Sequence, residues 1–137
     1  MATIIAAESD IEYARDMEEC LQTLARDGLF HVRMNITNNM TRREWENLEK
    51  EIKDGTLIFP LFTRNLVKDK KFILNLLFLV RRCMHHSNAF GNFFYPVYFD
   101  GQRERQFLPL FFQGWRGVSW FSRKKQLTSI VLQKKYK

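Results

Sequence analysis

Between Gly55 and Phe99 the chain carries a single carboxylate, Asp69, and six residues later an amide, Asn75, interrupts an otherwise apolar run from Phe72 to Val80. A carboxylate at Asn75 could stabilise or capture positive charge developing on a substrate; a neutral amide supplies neither the charge nor a comparable nucleophile. His85 and His86 stand together in "MHHSN", with His31 far off in the chain and no third ligand near, so they read as surface histidines and no metal is assigned. Cys20 and Cys83 form neither a CxxC pattern nor a disulfide framework and read as reduced thiols on helices. The basic groups Arg123, Lys124 and Lys125, and Lys134 and Lys135, could meet nucleic acid or an acidic membrane. No aromatic stacking platform interleaves them, and cations near a helix end also serve its dipole and solubility, so a solvated face is preferred.

The elements that must position these residues follow from periodicity and capping. "ATIIAA" is a short strand, and "SDIE" is a Ser-x-x-Glu capping box at Ser9 and Glu12 opening a helix lined by Ile11, Ala14, Met17, Leu21 and Leu24. Gly28 stops it, and "LFHVRMNI" alternates as a half-buried strand with Phe30, Val32 and Met34 on one face. "NITNN" is a loop. Thr41 and Glu44 make a second capping box for a helix faced by Trp45, Leu48 and Ile52, and Gly55 ends it before the continuous run "TLIFPLF". The block from Lys70 to Cys83 is a third helix, "FFYPVYF" a fourth strand, "GVSWF" a short fifth, and "RKKQLTSIVLQKKYK" a terminal helix. Pro60 and Pro96 fall inside two of these strands and imply either local breaks or sheet-edge placement.

Repeated β-α alternation with continuously apolar strands predicts an α/β fold: a doubly wound, flavodoxin-like, mostly parallel five-stranded sheet with helices on both faces. At 137 residues, 45% of them apolar, and with no Pro/Gly/Ser linker or repeat, the chain is read as one domain over 1–137. The apolar run breaks at Arg81 and Arg82, too short for a membrane span, which needs roughly 20 apolar residues. The N-terminus lacks the basic region of a signal peptide, so a cytoplasmic protein is expected.

Function in such folds sits in the loops at the carboxyl ends of the strands. "AAESDIE" has no glycine to cradle a pyrophosphate, which disfavours a dinucleotide-binding loop, and "FTRN" after the third strand has no Asp to accept a phosphoryl group. No cofactor is implied.

The order and the stretch "GTLIFPLFTRNLVKDKKFILNLLFLV" resemble a Toll/interleukin receptor (TIR) domain: its third strand, its Ser/Thr-x-Asn motif at Thr63-Arg64-Asn65, and its following helix. "ATIIAAESDIEYARDMEECLQTLARDGLFHV" resembles the first strand, acidic loop and first helix of the family, most of all in TRIF/TRAM-type adaptors. The chain departs from the pattern in two places. "NITNNMT" lacks the Pro-Gly element common after the second strand, and the late Phe-Trp box is present only as Trp120-Phe121. Some TIR domains cleave NAD with a Glu on the helix after the third strand; aligned from Thr63, that position is Asn75. The resemblance therefore implies a non-enzymatic module that assembles with other TIR domains of receptors or adaptors, as a homo-oligomer or filament at high concentration. The alternatives are an NAD-cleaving enzyme with a different catalytic residue, or a basic nucleic-acid or membrane-surface binder. Asn75 itself is expected to be buried and bonded to a backbone group, or to retain a ligand contact.

Three surfaces are expected to carry the interaction. One is the loop with Asn35, Thr37, Asn38, Asn39 and Met40, since a polar connector is costly to bury. Another is the side of the third helix with Leu74, Leu77, Phe78 and Arg81, which cannot easily face the sheet together with Phe72, Leu76, Leu79 and Cys83; it is either core or a contact strip. The last is a charge split: residues 1–27 hold two basic and seven acidic side chains, and residues 101–137 hold nine basic and one acidic. Arg123, Lys124 and Lys125 can therefore meet the acidic first helix within one molecule or between molecules.

Overall fold

The computed structural model describes residues 1–24, 32–36, 40–86, 93–99, 108–113, 115 and 117–135. Its strands are β1 (Ala2–Ala6), β2 (Val32–Ile36), β3 (Leu57–Phe62), β4 (Val97–Tyr98) and β5 (Val118–Ser119). Its helices are α1 (Ile11–Leu24), α2 (Arg42–Lys53), α3 (Arg64–Lys68), α4 (Lys70–His86), α5 (Leu110–Gln113) and α6 (Arg123–Lys135). All pairings are parallel, in the order β2-β1-β3-β4-β5, which is the doubly wound arrangement expected from the alternation.

Helices cover both faces because β1 and β3 are buried along their whole length. The two-residue strand period sends Ala2, Ile4, Ala6, Leu57, Phe59 and Leu61 to one side, where Ala14, Met17 and Leu21 of α1 and Leu127 and Val131 of α6 cover them. Ile5, Ile58 and Phe62 point to the other side, against Leu48 and Ile52 of α2, Leu66 and Val67 of α3, and Phe72, Ile73, Leu76, Leu79, Val80 and Cys83 of α4. Thus α1 and α6 share one face of the sheet, and α2, α3 and α4 share the other. Among the described residues no helix is long and apolar enough to cross a membrane.

Both prolines mark local breaks in the ladder. β3 is the central strand, so Pro60 is not at an edge. Ile58 donates its N–H to Phe93 and accepts from Tyr95. By the two-residue period the missing N–H of Pro60 faces the same side, between the isolated Ile58–Phe94 bridge and the Leu61–Val97 pairing. Pro96 accepts a 2.7 Å hydrogen bond from Val118 on the edge strand. The approach there is close: a Cβ on Gly117 would lie 2.1 Å from the Pro96 carbonyl oxygen, so only glycine fits.

Capping explains several boundaries. Thr41 and Glu44 form the expected reciprocal box at α2, and Gly55 follows that helix with φ 100°, in the left-handed region. The Ser9–Glu12 box does not form as expected. The chain enters a 3-10 turn at Glu8–Asp10 with Ala7 in the capping position, so Ser9 is already inside the turn. The third helix is preceded by a short extra one: Thr63 caps α3, and Asp69 then accepts the Phe72 N–H at 3.1 Å to start α4. Gly28, Phe30 and His31 lie outside the described residues.

Candidate functional site

The carboxyl ends of β1 and β3 meet at the centre of the sheet. The turn after β1 brings Asp10 over the end of β3, where it is only 4% exposed. Thr63 Oγ1 donates to Asp10 Oδ2 at 2.5 Å, and Asn65 Nδ2 donates to Asp10 Oδ1 at 3.2 Å. The Thr63 hydroxyl also accepts the Leu66 N–H at 3.2 Å, so one side chain caps α3 and holds the acid. Both Asp10 oxygens are engaged and shielded from water. The group ties the first loop to the Thr63-Arg64-Asn65 turn. Asp10 was read from the sequence only as one of the acidic charges near the first helix. Its position four residues after the last residue of β1 was the signal that could have marked it out.

Asn75 is not part of this trio, since no hydrogen bond joins it to Asp10, Thr63 or Asn65. It lies three residues after Phe72, whose ring packs 5.2 Å from that of Trp45, and seven before Arg82, which donates to Glu49 at 2.7 Å. Helical spacing therefore puts Asn75 on the flank of α4 facing α2. The expectation of a buried amide bonded to the backbone fails there. Asn75 is half-buried at the edge of the seam, and among the described residues its side chain makes no hydrogen bond, being within reach of solvent. The neighbouring Arg82 hydrogen bond holds the Glu49 carboxyl below its ordinary pKa, opposing the effect of partial burial.

The outward side of α4 is a mixed strip. Leu74 and Phe78 are 49% and 47% exposed, so the apolar residues that could not face the sheet are indeed left at the surface. Leu77 is partly buried against the core, and Arg81 reaches across to the ring of Phe111 at 5.9 Å. Lys70 and Lys71 are exposed at the start of the helix. No Asp or Glu occurs anywhere in α4.

The basic residues of α6 divide. Arg123 folds back onto the first helix: its Nε and Nη2 donate to Asp16 Oδ1 at 3.1 and 3.0 Å, and its guanidinium lies 3.9 Å over the Trp120 ring. Within one molecule, then, the acidic and basic poles already meet at this pair. Lys124 and Lys125 remain exposed. Trp120 stacks on Phe99 at 4.6 Å, and Tyr13 meets both rings edge-on, which pins α1 to the carboxyl ends of β4 and β5.

The asparagine-rich connector is shorter than the sequence implies. Asn35 belongs to β2, where its backbone pairs with Ile5, so the ladder outlasts the loop-forming composition. Met40 packs partly buried against the core, and Thr37, Asn38 and Asn39 lie outside the described residues. Among the described residues no group of three or more His, Cys, Asp or Glu side chains could hold a metal ion. Cys83 is buried, and that burial raises its thiol pKa to about 11; Cys20 is part-exposed, 3.8 Å from Asp16.

Compared with protein-family models, curated proteins and solved structures, the chain matches none.

Proposed function

We propose that this chain is a TIR-type protein-interaction module, working inside the cell by assembling with like domains rather than by turning over a substrate. The observation that carries the proposal is the outward strip of α4. Leu74 and Phe78 sit half-exposed in a helix rimmed by Lys70, Lys71 and Arg81, while Phe72, Ile73, Leu76, Leu79 and Val80 of the same helix are buried. The parallel order β2-β1-β3-β4-β5 and the Thr63-Arg64-Asn65 turn at the end of β3 support the same reading. Against an NAD-cleaving enzyme stand the neutral Asn75 and the fully engaged Asp10, neither of which offers a free carboxylate to a developing ribose cation.

Two measurements on the purified chain test this. Sedimentation over a concentration series should show association, and incubation with NAD should release nicotinamide no faster than buffer. Nicotinamide release well above that control would replace the module by an enzyme. A monomer at all concentrations that is retained on DNA or anionic vesicles would replace it by a basic surface binder.

A further inference from the structure

α1 and α4 lie on opposite faces of the sheet, and their outward surfaces are opposite in charge. α4 presents Lys70, Lys71, Leu74, Phe78 and Arg81 with no acidic residue. α1 presents Glu12 and Glu19, both exposed and seven residues apart, hence two turns along one stripe. Glu18 of α1 is partly buried, and the remaining acids of α1 and α2 are committed. Asp16 is held by Arg123, Glu46 by Arg42, Glu49 by Lys53 and Arg82, and Glu51 by Arg33, while Glu44 caps α2. Glu12 and Glu19 take part in no ion pair among the described residues.

Resting on the self-assembling reading above, we infer that the Leu74–Phe78 strip of α4 docks the Glu12–Glu19 face of α1 on a second copy of this chain. Within one copy the two surfaces cannot touch, because the sheet separates them. Pairing α4 with α4 would set Lys70, Lys71 and Arg81 against themselves with no carboxylate between, and α6 offers exposed Lys124 and Lys125 instead of acid. The lengths agree. Lys71 and Arg81 bracket the apolar pair over about 15 Å of helix and Glu12 to Glu19 spans about 10 Å, a difference that long side chains take up. The alkyl stems of Glu12, Arg15 and Glu19 then cover Leu74 and Phe78, while the two carboxylates reach the basic rim and the Arg15 guanidinium turns to solvent. A bilayer fits less well, since two half-exposed apolar side chains offer little area to bury in a lipid interface. Each docked pair leaves one α1 face and one α4 face unused, so the contact is heterologous and propagates.

Leu74→Ser/Phe78→Ser and Glu12→Lys/Glu19→Lys test it, with circular dichroism melts to verify that both fold; all four positions are exposed. Each variant alone should associate roughly tenfold more weakly, or worse, than the unmodified chain. An equimolar mixture should form dimers and stop there, because each copy supplies the one surface that the other lacks. Association of Glu12→Lys/Glu19→Lys at the unmodified level, or a mixture that stays monomeric, overturns the docking while leaving self-assembly through another surface intact. An unmodified chain that stays monomeric yet binds phosphatidylserine vesicles through Leu74 and Phe78 overturns both in favour of a lipid surface.

Discussion

Asp10 and Thr63 are 53 residues apart in the chain and are joined by a buried 2.5 Å hydrogen bond that fastens the end of β1 to the end of β3. Thr63→Val removes the donor to a carboxylate that is 4% exposed and the acceptor of the Leu66 N–H together. Urea unfolding should register a loss of about 1–3 kcal/mol, and Thr63→Ser should recover most of it. Equal stability of the Val and wild-type chains would mean that the hydroxyl is dispensable to this junction.

Thr3 makes the opposite case. Its hydroxyl is fully buried in β1 and has no hydrogen-bond partner among the described residues. Thr3→Val keeps the shape and the strand preference and removes the unsatisfied group. The midpoint of denaturation should be unchanged or rise by an amount equivalent to up to about 1 kcal/mol.

Arg123 and Asp16 give a third measurable pair. The Asp16 side chain is 47% exposed, so a double-mutant cycle of Asp16→Ala and Arg123→Ala should return a coupling of about 0–1 kcal/mol that fades with salt. Arg123→Ala alone should cost more than Asp16→Ala, because it also strips the guanidinium from the Trp120 ring and its 2.8 Å hydrogen bond to the Trp120 carbonyl.

The two thiols should separate by reactivity. With burial pushing Cys83 up to about 11, a thiol reagent near pH 8 should modify Cys20 in the folded chain and reach Cys83 only on unfolding. The sign of the pH effect follows: the folded chain holds the Cys83 proton more tightly than the unfolded one. That contribution to stability is complete below the ordinary thiol range near 9 and is lost as pH rises toward 11. Cys83→Ala should flatten this alkaline loss.

The architecture was legible because its strands are unmistakably apolar: "ATIIAA" and "TLIFPLF" are the two strands buried on both faces, and the Thr41–Glu44 box caps α2 as read. Where the sequence misled, a tertiary partner decided. Asn35 was taken into β2 by pairing with Ile5, against its loop-favouring composition. Ser9 lost its capping role because the chain turned two residues earlier, at Ala7, which brings Asp10 to Thr63. The Asp10–Thr63–Asn65 trio could not be seen along the chain, since its members come from loops on two different strands. Leu74 and Phe78 were legible as a misfit, because one helix cannot turn two apolar sides to one sheet.

The ladders of the sheet are unequal. β1 pairs with β2 over five residues and with β3 over four, whereas β3–β4 and β4–β5 each pair over two. Amide protons should record this as a gradient in hydrogen exchange. Those of β1 and β3 are released only by global unfolding, while β5 and α6 open in a smaller cooperative step at lower free energy. What resists that step is mostly side-chain attachment: the Phe99–Trp120 stack, the Arg123–Asp16 pair, and the burial of Leu127 and Val131 against α1 and the sheet. β5 and α6 should thus open as a separate unit, held on by side-chain contacts more than by backbone pairing.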